Sequence, residues 1–269
     1  MAKKIDGIKF IKTKEYAYCN IEYFSDELKS IIRAHLSEIC HGTGKASTGR
    51  IMYSYETTIK EFLNRYEKKT TKIKKGLIGE LLTHIIISEM FPEYRVISPY
   101  FNLEERSIKK GFDIVLVSKK ANYELFVTEV KAGEVHKGKT SDETMNDLIG
   151  LAKNDLLSRL SDDNTSLWHN AINGAQSALD RNDDYKDAII EVLEDMGDKS
   201  VVGQVNNRDI NVFLTGVLFA SFSDRASEVN TKKKLKTIAK EGKFKSVFGL
   251  SIQKETFVKV YNFFKDEVK

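Results

Sequence analysis

Cysteine is scarce in this chain, with Cys19 and Cys40 the only two among 269 residues. Two cysteines exclude a disulfide framework, have no paired spacing for a zinc site, and suit a reducing cytoplasm. His35, His41, His84, His136 and His169 show no zinc-like pairing either. Proline is equally rare, at two residues, and sixteen glycines form no cluster, so there is no Pro-rich or Gly-rich linker. Any domain boundary has to be read from pattern. There is no internal repeat. The longest apolar run, Leu81 to Met90, is broken by Thr83, His84, Ser88 and Glu89 and cannot span a bilayer. The opening "MAKKIDGIKFIKTK" has no apolar stretch of secretory length, so no signal peptide is expected.

A strong excess of one charge is also missing, since 43 Lys and Arg face 39 Asp and Glu, for a net charge of +4. That sum alone does not indicate nucleic acid. The distribution says more, because basic residues gather at Lys68 to Lys75 and at Lys232 to Lys245, while Asp180 to Asp198 is acidic. Two separated basic clusters can follow a phosphate backbone. They can equally be solvated faces of helices or loops.

What is present is an ordinary globular content of hydrophobic residues, 41%. Residues 1–70 read as mainly helical after a short opening strand or loop, and as a possible partner-docking lobe. In "FSDELKSIIRAHLSEICHG", Ser25 or Asp26 caps a helix whose apolar stripe runs from Leu28 to Ile39 and stops at Gly42. Residues 71–269 read as a second unit. It opens with the nearly all-apolar helix "GLIGELLTHIIISEMF", followed by strands at Tyr94 to Phe101, Phe112 to Ser118 and Tyr123 to Ala132. The short polar link "KKAN" suits a hairpin between the last two. Helices follow over Asp142 to Leu160, Ser166 to Leu179 and Tyr185 to Met196. Strands are expected at Ile210 to Ser223, with Gly216 as a bulge, and at Ser246 to Ile252, before a closing amphipathic helix. This order predicts an α/β fold with a mixed sheet flanked by helices.

The strand "YELFVTEVKAGE" places Glu129 and Lys131 two residues apart, on one face and about 6.6 Å from each other. The triplet of acid, any residue and lysine also occurs at Glu27, Glu67, Asp184, Glu241 and Glu267, but in polar or helical settings. Only Glu129 and Lys131 fall in a segment expected to be buried, where an unpaired charge costs several kcal/mol. Asp113, at the start of the neighbouring strand, can approach Glu129 across the hairpin. Two carboxylates brought together repel unless a cation lies between them, and oxygen ligands select a hard ion such as Mg²⁺. Glu80 lies among apolar residues of the central helix, with His84 one turn on. A buried ion-pair network without chemistry is the alternative reading of these positions.

In this order and on these elements, "GLIGEL", "GFD" and "EVK" resemble the PD-(D/E)xK nuclease superfamily, with Phe112 in place of the proline. That resemblance implies a restriction-endonuclease-like core of helix, three-stranded meander, helix and further strand. "KGLIGELL", "GFDIVLV" and "FVTEVKAGE" more narrowly resemble the HamA nuclease subunits of Hachiman-type antiphage defence systems. The implied activity is Mg²⁺-dependent hydrolysis of DNA, with Mn²⁺ able to substitute, under the control of a partner helicase. On this resemblance Asp113, Glu129 and the Val130 backbone carbonyl hold the metal, and Lys131 orients water or stabilises charge. Glu80 serves a second metal or its water shell, and Gln176 is the polar helix residue beside the site. A catalytically silent DNA-binding or adaptor subunit, and a restriction or repair nuclease, are the alternatives.

Overall fold

Residues 8–21 hold the first departure from expectation. In place of one short strand or loop, β1 (Ile8–Lys12) and β2 (Tyr16–Ile21) form an antiparallel hairpin. Every residue of β2 is buried. In the computed structural model, which describes residues 4–101, 111–119, 123–161, 165–180 and 182–268, this hairpin completes one side of the main sheet.

Helix α1 (Asp26–His41) starts as its sequence predicts, with the Ser25 hydroxyl accepting the Leu28 N–H and two acids in the first turn. A short helix α2 (Thr43–Ala46), α3 (Tyr55–Glu67) and the long α4 (Thr71–Met90) follow. Thr70 caps α4, which therefore begins five residues before Gly76 and carries Lys72, Lys74 and Lys75 in its first turns. Strand β3 is only Tyr94–Val96, because the chain then turns away at Pro99, which has no N–H for a ladder. Tyr100 and Phe101 instead donate their N–H groups to the Ile39 and Cys40 carbonyls at the end of α1.

Strands β4 (Ile114–Ser118) and β5 (Leu125–Glu134) pair antiparallel, so the expected hairpin is present, with residues 120–122 of its link outside the described set. Then come α5 (Ser141–Ser161), α6 (Thr165–Ala178), α7 (Lys186–Val201), β6 (Asn211–Phe219), α8 (Glu228–Lys240), β7 (Ser246–Lys254) and α9 (Val258–Asp266). The seven strands lie in the order β1-β2-β7-β6-β5-β4-β3, with β5, β6, β7 and β2 parallel. The fold is an α/β mixed sheet flanked by helices, and α4, β3–β5, α5 and β6 run in the order that the resemblance implies. Among the described residues no helix is long and apolar enough to cross a membrane.

Each face of the sheet carries its own core. Phe126, Val130, Phe213 and Leu250 share one cluster with α1, α3, α4 and α9, while Val127, Leu214 and Val115 share the other with α5 to α8. Helices α1 and α3 of the first 70 residues thus bury their apolar stripes in the same cluster as α4. Gly216 is not a bulge, since β6 pairs without interruption on both sides of it. It instead lets α5 approach, because an added Cβ would lie 2.7 Å from the Met145 sulfur. Glu267, which opens one of the other acid-x-lysine triplets, is held by the Arg33 guanidinium through two bonds of 2.9 and 2.8 Å and by the Tyr55 hydroxyl at 2.8 Å.

Candidate active site

Strand β5 alternates as the sequence predicts. Phe126, Thr128, Val130 and Ala132 face α4, where Gly79 approaches so closely that a Cβ there would lie 2.4 Å from that of Ala132. Val127, Glu129, Lys131 and Gly133 face α5, with Leu148 packed over Gly133. Glu129 and Lys131 therefore project from one face of an inner strand, near its middle.

Asp113 stands one residue before β4, and because Ile114 pairs with Thr128 it comes opposite Glu129. Its Oδ2 accepts the Val130 N–H at 2.7 Å. In an extended strand the N–H and C=O of one residue point to the same edge. The Val130 carbonyl is thus directed to the edge where β4 has ended, beside Asp113.

Glu129 is fully buried and strongly tethered. Its Oε1 accepts from the Lys131 ammonium at 2.6 Å and from the Arg159 guanidinium at 2.5 Å. Its Oε2 is buried and has no hydrogen-bond partner among the described residues. Lys131 also pairs with Asp155 at 2.7 Å, and Arg159 donates to the Gly111 carbonyl at 2.9 Å. Asp155 and Arg159 lie one turn apart on α5, so this helix supplies a charge to each member of the β5 pair. Neither Asp155 nor Arg159 was expected at the site from the sequence. The available signal was the acid and arginine at i and i+4 in "NDLLSRL", which any exposed helix face could carry.

Burial and the neighbouring Asp113 charge raise the Glu129 pKa to about 7, against the opposing pull of Arg159 and Lys131. The Lys131 ammonium is raised in turn by Glu129 and Asp155, although its own burial opposes this. The same ion pair thus favours charge on both partners, and for the carboxyl group burial wins. An acid whose pKa is higher folded than unfolded destabilises the fold as it ionises. The loss sets in above the ordinary pKa of 4.5 and is complete above about 7. Metal-free protein is therefore expected to lose stability between pH 5 and pH 8. Glu129→Gln should flatten that slope and be the more stable protein at pH 8. Chemical denaturation at both pH values checks this, and identical slopes would refute it.

Glu80 is carried by α4, half-buried and next to Gly79, where that helix meets Ala132 of β5, and its charge acts on Tyr100. His84 is fully buried, edge-on to Tyr100 with ring centres 5.8 Å apart. Gln176 is not beside Glu129. It is exposed near the carboxyl-terminal end of α6 and lines a separate cleft against α2. The part of α6 near Asp113 is its start, where Trp168 packs on Phe112 and Asn170 reaches Gly111.

Among the described residues no group of three or more His, Cys, Asp or Glu side chains is placed to share a metal ion. The oxygen set at the site is two carboxylates and one carbonyl. That set suits Mg²⁺, which takes one or two carboxylates and fills its other positions with water and phosphate. The unpartnered Glu129 Oε2, facing the repulsion of Asp113, is the atom that such an ion would satisfy.

The acid at the start of one strand, and the acid and lysine on the next, sit in an α/β protein whose seven-stranded mixed sheet is flanked by helices. A family model for HamA matches residues 4–266, nearly the whole chain. The chain belongs to the HamA family, the nuclease-like subunit of the multi-component Hachiman defence system. No curated protein matches it.

Proposed function

We propose that this chain is a divalent-metal-dependent deoxyribonuclease, the effector of a defence complex restrained by a partner helicase. The observation that carries the proposal is the buried Glu129 carboxylate, with one oxygen unpartnered, opposite Asp113 and beside Lys131. Asp113, Glu129 and the Val130 carbonyl would hold Mg²⁺, whose chemistry is to polarise a phosphate and lower the pKa of bound water. Lys131 is one-quarter exposed, so its ammonium can reach a phosphodiester while its stem stays on the sheet. There it orients the attacking water or stabilises charge developing on the phosphoryl oxygens. Asp155 and Arg159 position this pair from α5. In this reading the first 70 residues carry the partner contact.

The test is a gel assay on supercoiled, linear and single-stranded DNA with Mg²⁺, Mn²⁺ or EDTA, with and without the helicase. Cutting that appears with either ion and vanishes in EDTA is the expected result. No cutting in any divalent condition, after removal of every partner, would refute the proposal.

A second reading is favoured by the ion pairs themselves, since Lys131 and Arg159 both have acidic partners without any ligand. In it the chain is a silent DNA-binding or adaptor subunit, and the basic residues of α4 and α8 hold the backbone. Salt-sensitive DNA binding without cleavage is its signature.

A further inference from the structure

The cleft that contains Gln176 has an unusual construction. Its floor is the contact of α2 with the end of α6, made possible by two glycines. Gly42 has φ +86°, and a Cβ there would lie 2.2 Å from the Ala178 Cα, while one on Gly44 would lie 2.5 Å from the Leu179 carbonyl oxygen. The Thr43 hydroxyl locks the contact by donating to the Ala178 carbonyl at 2.9 Å. This fixes the α2 wall against the end of α6 and leaves a half-open cleft of about 710 Å³. That volume is in the range of small-molecule sites.

The charges in it do not cancel. Asp180 is bound on one oxygen by the Ser47 hydroxyl at 3.1 Å and on the other by the Asn182 N–H at 2.9 Å. Lys186 caps the end of α6, donating to the Gln176 and Leu179 carbonyls at 2.9 and 3.3 Å. Lys45 and Arg50 are different, since neither side chain makes a hydrogen bond or ion pair with a described residue. Two cations without an acidic partner among the described residues, in a concave and partly apolar cleft, focus a field that attracts an anion. The remaining walls offer what a nucleobase requires, with the Tyr53 ring for stacking and the Gln176 and Asn182 amides for hydrogen bonds at a base edge.

We propose that this cleft binds a phosphorylated nucleotide, with its phosphates on Lys45 and Arg50 and its base against Tyr53, Gln176 and Asn182. The nucleotide can be free or be the 5′-phosphorylated end of a short oligonucleotide, and both present the same chemistry. The site is separate from Asp113 and Glu129, and the proposal does not depend on their activity.

Calorimetric titration of the full chain in EDTA tests this, using ATP, AMP, a 5′-phosphorylated dinucleotide, adenosine and inorganic pyrophosphate. EDTA removes any contribution of a divalent ion at the Glu129 site, and Glu129→Gln protein should bind equally well. The nucleotide or the dinucleotide should bind measurably, and adenosine and pyrophosphate should bind about tenfold or more weakly. Whichever of ATP, AMP and the dinucleotide binds best identifies the source. Lys45→Ala and Arg50→Ala, both on the outer wall, should each weaken binding about tenfold without shifting the melting curve. Absence of binding by all three nucleotides, pyrophosphate binding as tight as theirs, or undiminished binding in the two variants would overturn the proposal.

Discussion

Lys131→Ala is expected to lower the rate of Mg²⁺-dependent DNA cleavage by about 10²- to 10³-fold, the loss found when one preorganised donor to a developing oxyanion is removed. Lys131 is the cation that shares both the buried face of Glu129 and the solvent side of the site, with one-quarter of its side chain exposed. Its loss leaves Glu129 with Arg159 as its remaining charged donor, and so raises the Glu129 pKa further. A thermal melt close to that of the parent would show that the loss is chemical. Lys29→Ala is the matched control, because Lys29 closes an identical acid-x-lysine triplet yet pairs with the exposed Asp26 on α1. Full cleavage activity in Lys131→Ala, or equal losses in the two variants, would remove Lys131 from the mechanism.

The second large effect is on stability. Trp168 is 2% exposed, and its ring meets that of Phe112 edge-on, with centres 5.1 Å apart. Phe112 directly precedes Asp113, so this contact fixes the backbone that presents the first carboxylate. Trp168→Ala is expected to cost about 3–5 kcal/mol, the range for deleting a large aromatic side chain from a core. Urea denaturation measures it, and a loss under about 1 kcal/mol would show that the site collapses around the gap. Trp168→Phe keeps an aromatic partner for Phe112 and should recover most of the loss, which separates ring packing from the indole N–H.

These expectations combine with the pH behaviour of Glu129 into one physical picture. The carboxylate that would bind the metal is the one that the fold holds at a cost, because burial and Asp113 both oppose its charge. Replacing it by Gln should stabilise the protein at pH 8 while abolishing cleavage. Such opposite changes are the pattern expected where a functional group is kept against the stability of the fold.

The pairing of Asp113 with Glu129, and the common face of Glu129 and Lys131, were legible because they depend on short-range rules. Side chains alternate along a strand, and a short link fixes the register of a hairpin, so neighbours in space follow from neighbours in sequence. The start of α1 was legible for the same reason, since Ser25 caps a helix only three residues away. The strand length of β3 was not, because Pro99 and the end of α1 together decide where the chain leaves the sheet.

Long-range packing decided the rest. Asp155 and Arg159 look like any acid and base one turn apart, and only the seating of α5 on β5 turns them toward Lys131 and Glu129. Gln176 has the right type for a site residue, but α6 meets Phe112 near its start, and Gln176 lies two turns further on, in another cleft. Glu267 is anchored because Arg33 and Tyr55 arrive from helices more than two hundred residues earlier in the chain. By itself the sequence determined the charged strand and its acidic neighbour, since a two-residue period and a hairpin leave little freedom. The tertiary structure alone decided which helices complete that site, because many helix faces carry the same charge pattern and only packing selects the one that touches it.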